Sequence, residues 1–278
     1  MRPSALTYCG IIAAVLFSHE AVPDALNVAV CGAAHDHYVL DVQTNLAATA
    51  RFSAVDALDV RFGTPALTTL QEYAALVVFS DSSYADATNL GTTLADYVDG
   101  GGGVVPMVFE CASYSFFSPP RFLYGRWETG GYVAIPRGDP LAGPMLTLGA
   151  VHEPAHPIMA GVTNLNGGVR SYRPSTTNIN DGWTRIADWS DGAPLVAARD
   201  INGGRVAALA FFPVSDNIST VYWHTATDGA TLMANALEWA AAPEPCMALP
   251  PAGSAALAWL ARRGRRSLRR RKTTRLQT

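Results

Sequence analysis

From residue 26 onward, short apolar runs alternate with amphipathic stretches. The run at 26–32 (LNVAVCG) is β-branched and ends in glycine, which predicts a strand, and 35–50 follows with Val39, Leu40, Val42, Leu46 and Ala47 at helical spacing. A second short strand is predicted at 52–55, a short helix at 67–73, and a third strand at 74–79 (AALVVF). That last run is wholly apolar, as suits a strand covered on both faces. Residues 86–98 then form a helix with Leu90, Leu94, Tyr97 and Val98 on one side, closed by four glycines at 100–103 and followed at once by a strand at 104–109. Glycines there permit a left-handed cap and a tight re-entry into the sheet. Further strands are predicted at 145–151, 183–188, 194–199 and 205–211, with a last helix at 227–241. Alternating strand and helix with short connections predicts an α/β fold: an open, mostly parallel, doubly wound flavodoxin-like sheet with helices on both faces. Residues 112–144, rich in proline, glycine and aromatics, form a long excursion expected to cover one end of that sheet. Loops of such length are more often functional than accidental.

Composition refines this picture through the distribution of charge. The 278 residues are 49% apolar and 15% charged, enough for one large domain or two small ones. The overall net charge of −3 averages two opposite segments: 26–242 holds ten Arg and no Lys against twenty Asp and Glu, a net of −10, whereas 262–275 holds nine cations. An acidic body repels phosphate backbones, so nucleic acid is not an expected partner.

The two ends explain the segregation. Arg2, an apolar-leaning run over 5–17 and small residues at Ala21 and Ala25 have the parts of a secretory signal peptide, too short to span a bilayer. At the other end Pro243-Glu244-Pro245 precedes an apolar stretch over 246–261 and then a cationic run opening with Arg262 and Arg263. Held at the cytoplasmic face, such cations resist translocation and attract anionic lipid. This order of parts resembles the PEP-CTERM sorting signal of Gram-negative bacteria. The resemblance implies exosortase-type sorting machinery as partner, membrane attachment through the tail before processing, and a final location in the cell envelope or at the extracellular surface. The expected organisation is a signal peptide at 1–25, one domain at 26–242 and a sorting tail at 243–278.

Within the body, the runs 72–81 (EYAALVVFSD), 94–105 (LADYVDGGGGVV) and 156–162 (HPIMAGV) resemble the class I glutamine amidotransferase-like superfamily, particularly its ThuA-like branch. The likeness covers most of 26–241 and implies fold rather than activity. Amidotransferases carry a Gly-x-Cys-x-Gly nucleophile elbow; this chain has Phe109-Glu110-Cys111-Ala112-Ser113. Bulky Phe109 replaces the first glycine, so glutaminase activity is not carried over. Cys31 and Cys111 follow strands that another strand separates, which predicts two free thiols.

Ligands of open parallel sheets sit beyond the carboxyl ends of the strands, where strand order reverses. The candidate binding residues there are His35, Asp36 and His37 after the first strand, Asp81 and Ser82 after the third, and Glu110 after the next, with Cys111 as a candidate nucleophile. A thiol nucleophile would need a depressed pKa and a histidine within hydrogen-bond reach. Seven aromatics between Tyr114 and Tyr132, Trp127 among them and interleaved with Arg121 and Arg126, suit a sugar or another polar ring. His152-Glu153-Pro154-Ala155-His156 matches the zinc-protease pattern by letter, but Pro154 and Pro157 oppose the helix that pattern requires. Neither a metal nor a cofactor is expected. The chain therefore reads as a non-catalytic binding module for carbohydrate or another polar ligand. The alternative is a hydrolase or sugar-modifying enzyme using the strand-end His, Asp, Glu and Cys cluster.

Overall fold

Along β1 (Leu26–Ala33), Val28 and Val30 face one side of the sheet and Ala29 and Cys31 the other, and all four are fully buried. This period of two, repeated in neighbouring strands, divides the interior into two layers. The computed structural model describes residues 26–113 and 121–242. The signal-like segment 1–25, the tail 243–278 with Pro243, Glu244, Pro245, Arg262 and Arg263, and the loop aromatics Tyr114, Phe116 and Phe117 lie outside the described residues.

After β1 come α1 (Asp36–Ala48), β2 (Phe52–Asp59), α2 (Leu67–Leu70), β3 (Ala75–Ser80), α3 (Ala87–Asp99) and β4 (Gly103–Pro106). A 3-10 turn at Val108–Cys111 and a short α4 (Arg126–Thr129) lead to β5 (Leu148–Val151), β6 (Thr184–Trp189), β7 (Pro194–Ile201), β8 (Gly204–Leu209) and α5 (Gly229–Ala241). One eight-stranded sheet results, in the order β2-β1-β3-β4-β8-β7-β6-β5. Helices α1 and α5 pack Val39, Val42, Leu46, Leu232, Met233 and Leu237 on one face. Leu90, Leu94 and Val98 of α3, with Leu70 and Trp127, cover the other. Cys31 and Cys111 are both buried free thiols. Among the described residues no helix is long and apolar enough to cross a membrane.

The expected open α/β sheet is present, and its far half runs differently from the rest. Strands β2, β1, β3, β4 and β8 are parallel, but β7, β6 and β5 join by antiparallel pairing. The β7–β8 turn supplies the reason. Asn202 and Gly203 both have positive φ, 52° and 100°, and Ile201 pairs with Gly204, which is a two-residue hairpin of the primed kind. The strand expected over 104–109 ends at Pro106; Met107 still bridges to Leu209, and the chain then enters the 3-10 turn. The strand expected over 52–55 instead extends to Asp59 along the exposed edge.

The four-glycine turn works by close approach. A Cβ on Gly103 would lie 2.5 Å from the Ala240 carbonyl, so this glycine lets α5 settle directly on β4. Asp86 caps the preceding α3, accepting from the N–H groups of Thr88 and Asn89 at 3.0 and 2.9 Å.

Candidate functional site

The chain leaves β1 towards β2 on one side and returns to β3 on the other, so the sheet has its switch point between β1 and β3. The carboxyl ends of these two strands are tied together there. The N–H groups of Asp81 and Ser82 both donate to the Ala33 carbonyl, at 2.8 and 2.7 Å. Asp81 thereby stands at the strand end beside Arg121, with 3.6 Å between guanidinium nitrogen and carboxylate oxygen. Both side chains keep about a third of their surface exposed. Burial raises the Asp81 carboxyl above its ordinary range, and the neighbouring Arg121 guanidinium and His35 imidazole oppose that rise.

His35 ends the β1 turn and starts α1, its carbonyl accepting from the N–H groups of Tyr38 and Val39. The rings of His35, His37 and Tyr38 form an exposed-to-half-buried stack: His35 lies on His37 at 5.6 Å, and His37 meets Tyr38 edge-on at 4.6 Å. Beyond Tyr38 the stack continues into an aromatic platform. Phe212, which follows β8, is its buried centre, with ring distances of 6.0 Å to Tyr38, 5.7 Å to Tyr172 and 5.0 Å to Tyr222. Phe79 at the end of β3 and Phe109 after β4 support Phe212 from below, at 6.3 and 5.6 Å. The three tyrosines remain half-buried, so part of each side chain stays accessible. Burial raises the Tyr222 phenol well above the usual tyrosine range, and its hydrogen bond to Tyr38 and the nearby Asp81 charge add to the rise.

Two clamps hold this platform. Asp41 on α1 is buried and accepts from the Ser215 N–H at 2.7 Å and from its hydroxyl at 2.8 Å, which fixes the segment leading to Tyr222. The Arg170 N–H donates to the Val221 carbonyl at 2.9 Å, which sets the Tyr172 segment beside that of Tyr222.

The remaining sequence candidates lie elsewhere. Asp36 is drawn towards Arg61, whose guanidinium bridges it to Asp59 at the β2 edge. Ser82 is half-buried beside Asp81 and contributes its backbone to the strand-end tie. Glu110 turns into the interior, where its carboxylate accepts from the Tyr84 hydroxyl and the Leu123 N–H, both at 2.9 Å. Burial pushes its pKa up to about 7. Arg137 donates to the carbonyls of Glu110, Ala112 and Leu123, and its charge opposes the rise at the Glu110 carboxyl.

Cys111 does not meet the conditions for a nucleophile. Its thiol is 5% exposed, donates to the Val108 carbonyl of its own turn, and is pushed by burial up to about 12. Trp127 offers no face to a ligand either. It is completely buried, stacked on Tyr132 at 5.2 Å, because Gly91 on α3 lets the backbone at Tyr124 come against the helix.

The imidazoles of the zinc-protease-like pattern have different partners, as the prolines predict. His152 Nε2 lies 2.7 Å from the buried Asp188 carboxylate, whereas His156 accepts from the Ile158 N–H and packs on Trp239. Among the described residues, no three His, Cys, Asp or Glu side chains gather as a metal-holding group.

Tyr38, Tyr172, Phe212 and Tyr222 are the residues that sequence reasoning missed. One signal was available: Phe211-Phe212-Pro213 follows the end of β8 after Ala210, on the edge where ligands of such sheets collect.

No known family model matches this chain, and no curated protein sequence does. Solved structures do resemble it. A ThuA-like protein from Parabacteroides merdae is 15% identical, with a TM-score of 0.49 over 78% of this chain and 90% of that one. A ThuA-like protein from Bacteroides uniformis is 13% identical, with a TM-score of 0.49 over 77% and 91% of the two chains. A cytoplasmic protein from Salmonella typhimurium is 14% identical, with a TM-score of 0.49 over 77% and 98%.

Proposed function

We propose that residues 26–242 are an amidotransferase-like α/β module that binds a carbohydrate or similar polar ring, without catalysis, on the platform of Tyr38, Tyr172, Phe212 and Tyr222. The observation that carries this reading is the position of the platform, at the carboxyl ends of β1, β3, β4 and β8 and beside the Asp81–Arg121 pair. Sugar rings have apolar C–H faces that pack on aromatic rings and a girdle of hydroxyls that requires donors and acceptors. Three phenol hydroxyls, a carboxylate, a guanidinium and two imidazoles supply that second requirement. The burial of Glu110 and Cys111 supports binding over hydrolysis, since neither group faces the platform residues as a reactive partner.

Titration calorimetry of the full chain against an oligosaccharide panel tests this reading. Tyr222→Ala is expected to weaken any bound sugar about tenfold or more, roughly 1.4 kcal/mol. Affinity unchanged by Tyr222→Ala, or sugar turnover in the cell, would count against it.

We further propose that the chain is exported by its first 25 residues and sorted at the cell envelope through Pro243-Glu244-Pro245 and the cations beginning at Arg262 and Arg263. The segregation of charge supports this, with a body at −10 and a basic tail that would be lost on processing. Mass spectrometry of protein from the native host tests it: the expected mature form lacks both ends, and an intact chain in the cytosol would refute it.

A further inference from the structure

Arg170 is out of keeping with the rest of the molecule. The body has twice as many carboxylates as arginines, and among the described residues eight of its ten arginines make an ion pair with one: Arg51, Arg61, Arg121, Arg126, Arg137, Arg173, Arg185 and Arg205. Among the described residues Arg170 makes none. Its only side-chain hydrogen bond there runs from Nη1 to the Tyr172 hydroxyl, 3.1 Å away, and the side chain is exposed.

The position of Arg170 gives this meaning. Its backbone N–H is fixed to Val221, next to Tyr222, and its guanidinium is held at the outer edge of Tyr172, whose ring centre is 6.5 Å from that of Tyr222. A guanidinium fork with most of its N–H donors turned to solvent therefore borders the aromatic platform. Asp81, the nearby carboxylate, is balanced by Arg121. In a body of net −10, this edge of the platform is locally cationic.

We infer that the ligand is an acidic saccharide, its ring lying on Tyr172 and Tyr222 and the carboxylate of a hexuronate residue received by Arg170. This inference rests on the platform being the binding face. A carboxylate matches the guanidinium fork in shape and charge, and the Tyr172 hydroxyl pre-orients that fork. Neutral sugars would use the rings and hydroxyls but leave the fork solvated.

Methyl esterification removes the charge of a uronate and leaves its ring intact, so it isolates the contribution of Arg170. The test is calorimetric titration of the full chain with trisaccharides of galacturonate, glucuronate and mannuronate, each as free acid and as methyl ester, at low and at high salt. At least one acid is expected to bind ten times or more tightly than its ester, with the preference shrinking at high salt. Arg170→Gln should bring the acid to the affinity of the ester and leave the ester within about twofold. Arg170→Lys should keep part of the preference, and Arg199→Gln, which among the described residues also has no carboxylate partner but is bonded to Gly131, should keep all of it. Acid and ester binding equally to the wild-type chain would overturn this inference and leave the platform reading standing. A preference that persists in Arg170→Gln would also overturn it. If no member of the panel binds in either form, the inference and the platform reading fall together.

Discussion

The hydroxyls of Tyr38 and Tyr222 lie 3.2 Å apart although 184 residues separate them in sequence. One stands on the first helix, just past the end of β1, and the other on the segment between β8 and α5. Their meeting closes the aromatic platform over Phe212, with ring centres 6.0 Å apart in an edge-on arrangement. A double-mutant cycle of Tyr38→Phe and Tyr222→Phe should show a coupling of about 0.5–1 kcal/mol in unfolding free energy. Additive effects would mean that the two hydroxyls do not act as a pair.

Asp41 is the residue on which that meeting depends. It is buried and both its oxygens are occupied by Ser215, so Asp41→Ala leaves two buried groups without their acceptor. A loss of about 1–3 kcal/mol in stability is expected. Because the segment carrying Tyr222 is released at the same time, sugar affinity should fall under conditions where the variant is still folded. Denaturant melts and calorimetry on the same sample measure both effects.

Glu110 predicts a pH dependence with a definite sign. Its carboxyl titrates at about 7 in the folded protein, against an ordinary value of 4.5. Between those two pH values the folded protein keeps a proton that the unfolded chain has lost. The contribution is therefore complete below about pH 4.5 and declines as pH rises through 7, by on the order of 3 kcal/mol. Asp81, also raised, acts in the same direction, and His156, lowered by burial, acts in the opposite one. The difference between wild type and Glu110→Gln isolates the Glu110 share. Unfolding free energies measured from pH 4.5 to 8 should decline less steeply in the variant; parallel curves would contradict the prediction.

Both described thiols should be silent until the protein unfolds. Cys31 and Cys111 are buried, and burial pushes each up to about 12. Alkylation at neutral pH, followed by peptide mapping, should label neither in the folded chain and both in denaturant without reductant. Rapid labelling of Cys111 in the native state would restore it as a nucleophile.

The parts of the fold legible in sequence are those fixed by local pattern. Val77, Val78 and Phe79 announce a strand covered on both faces, and Asp86 with Leu90 and Leu94 announces the capped helix after it. The antiparallel half was less legible. Asn202-Gly203 carried a hairpin signal, yet strand direction depends on how distant segments pair, which no window of residues records. Of the predicted site, Asp81 and His35 come together at the strand ends. Glu110 and Trp127 share the residue types of a ligand site but were taken inward, Glu110 by Tyr84 and Leu123, and Trp127 by the space that Gly91 opens on α3. Tyr172, Phe212 and Tyr222 were not legible because Tyr172 lies on the β5–β6 connection and the other two lie ten residues apart on the β8–α5 connection, and the Asp41–Ser215 and Arg170–Val221 contacts help bring them to a common face.

The platform itself is most directly tested by fluorine NMR of the full chain labelled with 3-fluorotyrosine, with resonances assigned by single Tyr→Phe substitutions. Addition of a bound oligosaccharide should shift Tyr38, Tyr172 and Tyr222 together and leave the buried Tyr97 and Tyr132 unmoved. Shifts confined to tyrosines outside the platform, or none from a sugar that calorimetry shows to bind, would contradict the assignment of this face as the binding site.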